Sequence, residues 1–129
     1  MDDDAQAALA GLLVRGIALA RIAIGVVATA APRAGARFQF GAATPAQAVT
    51  LRMLGARDLG LGIGALLAAR HGSAGLRGWA EAGALADAVD ALAFLRDGPA
   101  ASARGPRLTA LVAAGSAACS VWAARHLDG

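Results

Sequence analysis

The chain has 129 residues, enough for one domain and no second core, and 57% of them are hydrophobic against 16% charged, where soluble domains average about 25% charged. The net charge is +3, and the basic residues, all arginine, stand singly between apolar runs, so the basic stripe of a nucleic-acid-binding face is missing and no nucleic-acid partner is expected. A single cysteine, Cys119, excludes a disulfide framework and a thiolate metal cluster.

Four apolar segments of helical length follow one another. The first runs over about 6–31 and stops at Pro32. It opens after Met1-Asp2-Asp3-Asp4, the wrong sign for the start of a signal peptide, and Arg15 and Arg21 interrupt its apolar run, so the segment is expected to be retained. Residues 32–44 read as an Arg-containing loop. The second helix has Thr44 as N-cap and Pro45 at its first position and runs to about residue 69. A polar turn at His71-Gly72-Ser73 leads into the third, over 74–96, which ends before Asp97-Gly98-Pro99. The fourth follows Gly105-Pro106 and spans 107–127.

Each segment is about 21 to 26 residues, matching the roughly 20 that cross 30 Å of hydrocarbon. Strands are not expected, because alanine favours helix and the apolar runs lack β-branched alternation. A soluble bundle would need a polar face on every helix, and Leu108 to Ala124 carries no charge at all. The third segment, with Glu81, Asp87 and Asp90, is the weakest span. The expected fold class is therefore all-α, an antiparallel four-helix transmembrane bundle, multi-pass in the cell membrane, with lipids as its surroundings.

Small residues recur at four-residue spacing, as in Ala56, Gly60 and Gly64, in Ala80, Ala84 and Ala88, and in Ala110, Ala114 and Ala118. Such stripes let helices approach closely in lipid. Trp79 and Trp122 fall at one end of an antiparallel bundle, as an aromatic belt would. His71 and His126 share that end and read as solvated side chains, and Cys119 as a helix-packing residue. Arg33, Arg37, Arg96, Arg104 and Arg107 outnumber Arg70, Arg77 and Arg125 in the flanks, so both termini are expected outside.

Eight charged side chains fall within the first three spans: Arg15, Arg21, Arg52, Arg57, Asp58, Glu81, Asp87 and Asp90. Each costs about 2.5–3.5 kcal/mol at a helix centre, so they are expected to face one another or a wet cavity. Counting about 1.5 Å per residue from each helix centre matches Arg15 with Glu81, Arg21 with Asp87 and Arg52 with Asp90, and puts Arg57 and Asp58 near the midplane. The result is a ladder of arginine–carboxylate pairs. Arg57 and Asp58 point about 100° apart and cannot serve one partner. A carboxylate without a full partner in low dielectric is a candidate proton donor or acceptor.

The stretch Arg52-Met-Leu-Gly55-Ala-Arg57-Asp58-Leu-Gly60-Leu-Gly62, followed by Asp87-Ala-Val-Asp90, resembles a family of small four-helix bacterial and fungal membrane proteins known only as a domain of unknown function. The end of the first helix, from Gly25 to Pro32, fits the same pattern with an extra stretch. The resemblance implies a four-helix membrane fold, supplies no reaction, and points at Arg52, Arg57, Asp58, Asp87 and Asp90.

These readings favour an enzyme that opens an epoxide or isomerises a double bond in a lipophilic small molecule. Asp58 and Asp87 are its expected acid and base, Arg57 their orienter and Asp90 their support, with Arg21, Arg52 and Glu81 binding substrate. Neither reaction needs a redox cofactor, and no metal is expected. Two other readings are a proton-coupled transporter or channel, for which four helices would have to pair as a homo-oligomer, and a structural subunit of a membrane complex. A closed lipophilic cavity beside the ladder favours the enzyme, a wet path to both faces the transporter, and no cavity the scaffold.

Overall fold

The computed structural model describes residues 2–97 and 104–127, and within them every regular element is helical. Helix α1 spans Asp3–Ala30, α2 Pro32–Phe40, α3 Pro45–Ala68, α4 Ser73–Asp97 and α5 Arg104–His126, with a single 3-10 turn, Ala69–His71, between α3 and α4. The four long helices match the expected segments within a few residues. The start of α3 follows the expected chemistry: Thr44 Oγ1 accepts from the Gln47 backbone N–H while the Gln47 side chain reaches back to the Thr44 N–H, a reciprocal capping box.

The stretch 32–44 corrects the expected loop. Pro32 ends α1 and also opens a new helix, α2, since its fixed φ and missing N–H suit the first helical position. Gly41, at φ 71°, closes α2 in the left-handed conformation that glycine adopts freely. Pro32 and Ala36 are buried, Phe40 stacks on Phe94 of α4 at 6.3 Å between ring centroids, and α2 thereby lies across one end of the bundle.

Helix α1 packs on α3 and α5, and α4 packs on the same two. The α1–α3 seam is a backbone contact. A Cβ on Gly25 would lie 2.7 Å from the Gly55 carbonyl, and one on Gly62 would lie 2.6 Å from the Ala18 carbonyl. The expected small-residue stripe on this helix was therefore offset: nothing approaches Gly60, Ala56 is exposed, and Gly64 instead receives the ring of Trp79. On α4, Ala80 and Ala84 are buried as expected, whereas on α5 the buried set is Ala110, Ala113, Ser120, Ala123 and Ala124, with Ala114, Ala118 and Cys119 outside. We expect Gly62→Val to destabilise the fold by about 1–3 kcal/mol through overpacking, and Gly60→Ala to be neutral or to stabilise by up to about 1 kcal/mol. Thermal unfolding of both variants in detergent checks the contrast.

The end holding the α1 N-terminus is filled by Ala10, Val14, Ala18, Ala65, Leu76, Ala80, Ala123, Ala124 and Leu127. Trp79 and Trp122 both lie there, and Trp122 stacks on His126 at 4.4 Å. Helices α1 and α5 are long and apolar enough to cross a membrane by length and composition.

Candidate functional site

Arg21 reaches from α1 into the centre of the bundle and is 7% exposed. Its Nη1 donates to Asp58 Oδ1 of α3 at 3.1 Å, and its Nη2 donates to Asp87 Oδ2 of α4 at 2.6 Å and to the Gly83 carbonyl at 3.0 Å. One guanidinium therefore ties three helices. The bare backbone at Gly83 permits the approach, since a Cβ there would lie 3.2 Å from Nη2.

Arg57 of α3 grips Asp90 of α4 with two parallel hydrogen bonds, Nη1 to Oδ1 at 2.8 Å and Nη2 to Oδ2 at 2.5 Å, the fork geometry that makes arginine–carboxylate pairs strong and directional. Nη2 also reaches Asp58 Oδ1 at 3.2 Å. The result is a continuous chain, Asp87–Arg21–Asp58–Arg57–Asp90, of three carboxylates and two guanidiniums. Among the described residues no hydrogen bond reaches Asp58 Oδ2 or Asp87 Oδ1. Each of these two carboxylates thus holds Arg21 with one oxygen and leaves the other oxygen for a ligand.

Three expectations about the ladder need correction. Arg15 does not meet Glu81: Arg15 is exposed, and Glu81 pairs with Arg77 of its own helix at 3.0 Å on the outside. Arg52 does not meet Asp90, which belongs to Arg57; Arg52 is exposed. Neither Arg52 nor Glu81 is in the site, so their expected part in substrate binding falls away. Depth counting captures rise along a helix and ignores phase. Residues six apart, such as Arg15 and Arg21 or Glu81 and Asp87, differ by about 120° around the axis, and Arg52 and Arg57 by about 140°, so only one of each pair can face inward. Asp87 and Asp90, three apart, share a face. The Arg21–Asp87 match was right in both depth and phase. The orienting residue also differs, because Arg21 touches both Asp58 and Asp87, whereas Arg57 touches Asp58 and Asp90.

The chain of charges forms one wall of a cavity of about 560 Å³ between the helices, a size typical of small-molecule sites. The remaining lining is mostly apolar, with Gln39, Thr109 and Ser116 as polar exceptions, and comes from every α-helix, with Ile24 of α1, Leu54 of α3, Phe94 of α4 and Val112 of α5 among it. Helix α2 contributes Phe38 and Gln39, which sequence reading missed because they fell in the expected loop. None of the residues that fill the alanine-rich end lines the cavity. Its opposite rim, and the gap between α1 and α5, is marked by lining residues that are themselves exposed: Phe38, Ile24, Leu108 and Val112.

His71 and His126 lie away from this cavity. Each ring nitrogen Nδ1 meets the carbonyl four residues earlier, on Leu67 and Trp122. Comparison of the chain with protein-family models, with curated proteins and with solved structures returns no match.

Proposed function

We propose that the protein is a multi-pass membrane enzyme that opens an epoxide, or isomerises a double bond, in a lipophilic small molecule by acid–base chemistry. The observation that carries this reading is the pairing of Asp58 and Asp87 through one buried arginine on the wall of a largely apolar cavity.

The membrane setting is supported by where the large and small side chains go. Alanine and glycine fill the interior, while Leu12, Leu85, Leu95 and Leu111 point outward. Only 33% of the apolar stretch of α1 and 28% of that of α5 is buried, whereas the core helix of a soluble protein would be mostly covered. Large apolar side chains outside and close small-residue contacts inside are what lipid favours. The gap between α1 and α5 then opens towards acyl chains, and a lipophile reaches Asp58 without entering water.

Three carboxylates against two guanidiniums leave one negative charge in excess. A low-dielectric site disfavours net charge, which makes a proton on one carboxylate part of the proposed mechanism. In epoxide opening, the protonated carboxyl, assigned to Asp58, gives its proton to the ring oxygen as a carbon–oxygen bond breaks. Asp87 takes a proton from water, whose oxygen forms the new bond to carbon. The product is a diol, and the proton taken up by Asp87 restores the starting count. In isomerisation the same two groups add a proton at one carbon and remove one from another. Arg21 holds both carboxylates in register and is a positioning residue, and Asp90 does the same for Arg57. A cavity lined by none of the residues that fill the alanine-rich end lends no support to a transport path across the bundle.

The test is turnover of hexadecene oxide by the protein in liposomes made with oxygen-labelled water. The expected result is a diol carrying one labelled oxygen, formed faster than in protein-free vesicles. Equal rates in the two would count against epoxide hydrolysis.

A further inference from the structure

We infer that the cavity takes a single-tailed lipophilic anion, its tail beside the Asp–Arg chain and its carboxylate or phosphate head on the arginines where α2 crosses α5. This deepens the proposed function by naming the substrate class, and rests on reading the cavity as a ligand site. The two helices touch through backbone, since a Cβ on Gly105 would run into the carbonyl of Phe38. That contact gathers three arginines: Arg37 directly precedes Phe38, Arg104 directly precedes Gly105, and Arg107 follows two residues later. Phe38, Gln39, Leu108 and Thr109 line the cavity, and consecutive Cα atoms are about 3.8 Å apart. Arg37 and Arg107 therefore each start one residue from the wall.

All three arginines are exposed, and among the described residues none forms an ion pair. Arg33, one turn before Arg37 on α2, adds a fourth positive charge to this end, where Asp97, three residues past Phe94 on α4, is exposed and forms no ion pair among the described residues. Neighbouring guanidiniums in excess over acid repel one another, and a forked donor suits a carboxylate or phosphate oxygen pair. Arg15 and Arg125 are also exposed, but their neighbours in sequence do not line the cavity; Arg52 directly follows the lining residue Leu51 and stands on α3, outside the α2–α5 contact. The Phe40–Phe94 stack fixes this rim at the level of Phe94, four residues along α4 from Asp90 and seven from Asp87, or roughly 6–10 Å. A head at the rim thus brings the middle of the tail, rather than its tip, to the carboxylates.

Oleate and oleyl alcohol share a tail and differ in head charge. In phosphatidylcholine nanodiscs, displacement of tritiated oleate should require about tenfold more oleyl alcohol than oleate, a preference that shrinks with added salt. The double variant Arg37→Gln/Arg107→Gln should bind both equally, while Arg125→Gln, away from the cavity, keeps the preference. Equal binding by the parent, no displaceable oleate, or a preference that survives in the double variant would overturn the inference. Nanodiscs containing phosphatidylglycerol separate the sources of the head: displacement of oleate by that lipid would give the arginines to bilayer headgroups and overturn the single-tailed ligand. The catalytic reading fails on a different result, hexadecene oxide turnover that does not depend on Asp58, so the two can be judged apart.

Discussion

Arg21→Met is expected to destabilise the protein by about 3–5 kcal/mol, because it strands the buried Asp87 and leaves Asp58 only its contact with Arg57. The methionine fills similar space but donates nothing to Asp58, Asp87 or the Gly83 carbonyl, and among the described residues Asp87 has no other ion pair. In contrast, Arg77→Gln removes an exposed pair one helical turn apart and should cost at most about 0.5 kcal/mol. Loss of Arg57 should fall between them, since its side chain is 32% exposed and that of its partner Asp90 24%. Denaturation of the three variants in mixed detergent, followed by helix content, gives the order. Arg21→Met as stable as Arg77→Gln would mean that the chain of charges holds nothing together.

Asp58→Asn is expected to leave the fold nearly intact and abolish turnover. With Asp58 neutral, Arg21 keeps Asp87 and the Gly83 carbonyl, and Arg57 keeps both bonds to Asp90. Every arginine stays paired, and two carboxylates balance two guanidiniums, the same count as with a protonated Asp58 in the parent. The amide oxygen retains the acceptor role of Oδ1, but the group no longer gives up a proton. The expected loss is at least about 100-fold in hexadecene oxide turnover, the scale of general acid catalysis, with a melting temperature in detergent close to that of the parent. If Asp58→Asn collapses as badly as Arg21→Met, the carboxylate is architecture.

Much of the fold was legible because the punctuation is strong. Thr44-Pro45 and Gly105-Pro106 mark two helix starts, His71-Gly72-Ser73 marks a turn, and the absence of charge from Leu108 to Ala124 marks α5 as apolar. Helix α2 was missed because Pro32 was taken only as a stop, and because its nine residues are too few to show a clear period of their own. Asp58, Asp87, Arg57 and Asp90 were legible as charges at improbable depth. The partners were only half legible: Arg21 with Asp87 came out of rise alone, but deciding against Arg15–Glu81 and Arg52–Asp90 required the rotation of each helix about its axis, which tertiary packing sets. The gathering of Arg37, Arg104 and Arg107 depends on the Phe38–Gly105 contact, and no local pattern announces a contact so distant in sequence.

The central claim, a proton-bearing carboxyl on the wall of a cavity reached through apolar surroundings, can be measured by carbodiimide labelling of the protein in liposomes. Carbodiimides add to protonated carboxyls, and a lipophilic reagent, dicyclohexylcarbodiimide, partitions into the bilayer while a water-soluble one does not. The account predicts that the lipophilic reagent modifies Asp58 or Asp87, located by mass spectrometry of the peptides, and that the water-soluble reagent is confined to exposed acids such as Glu81 and Asp97. Modification of Glu81 and Asp97 by both reagents, with Asp58 and Asp87 untouched by either, would contradict it.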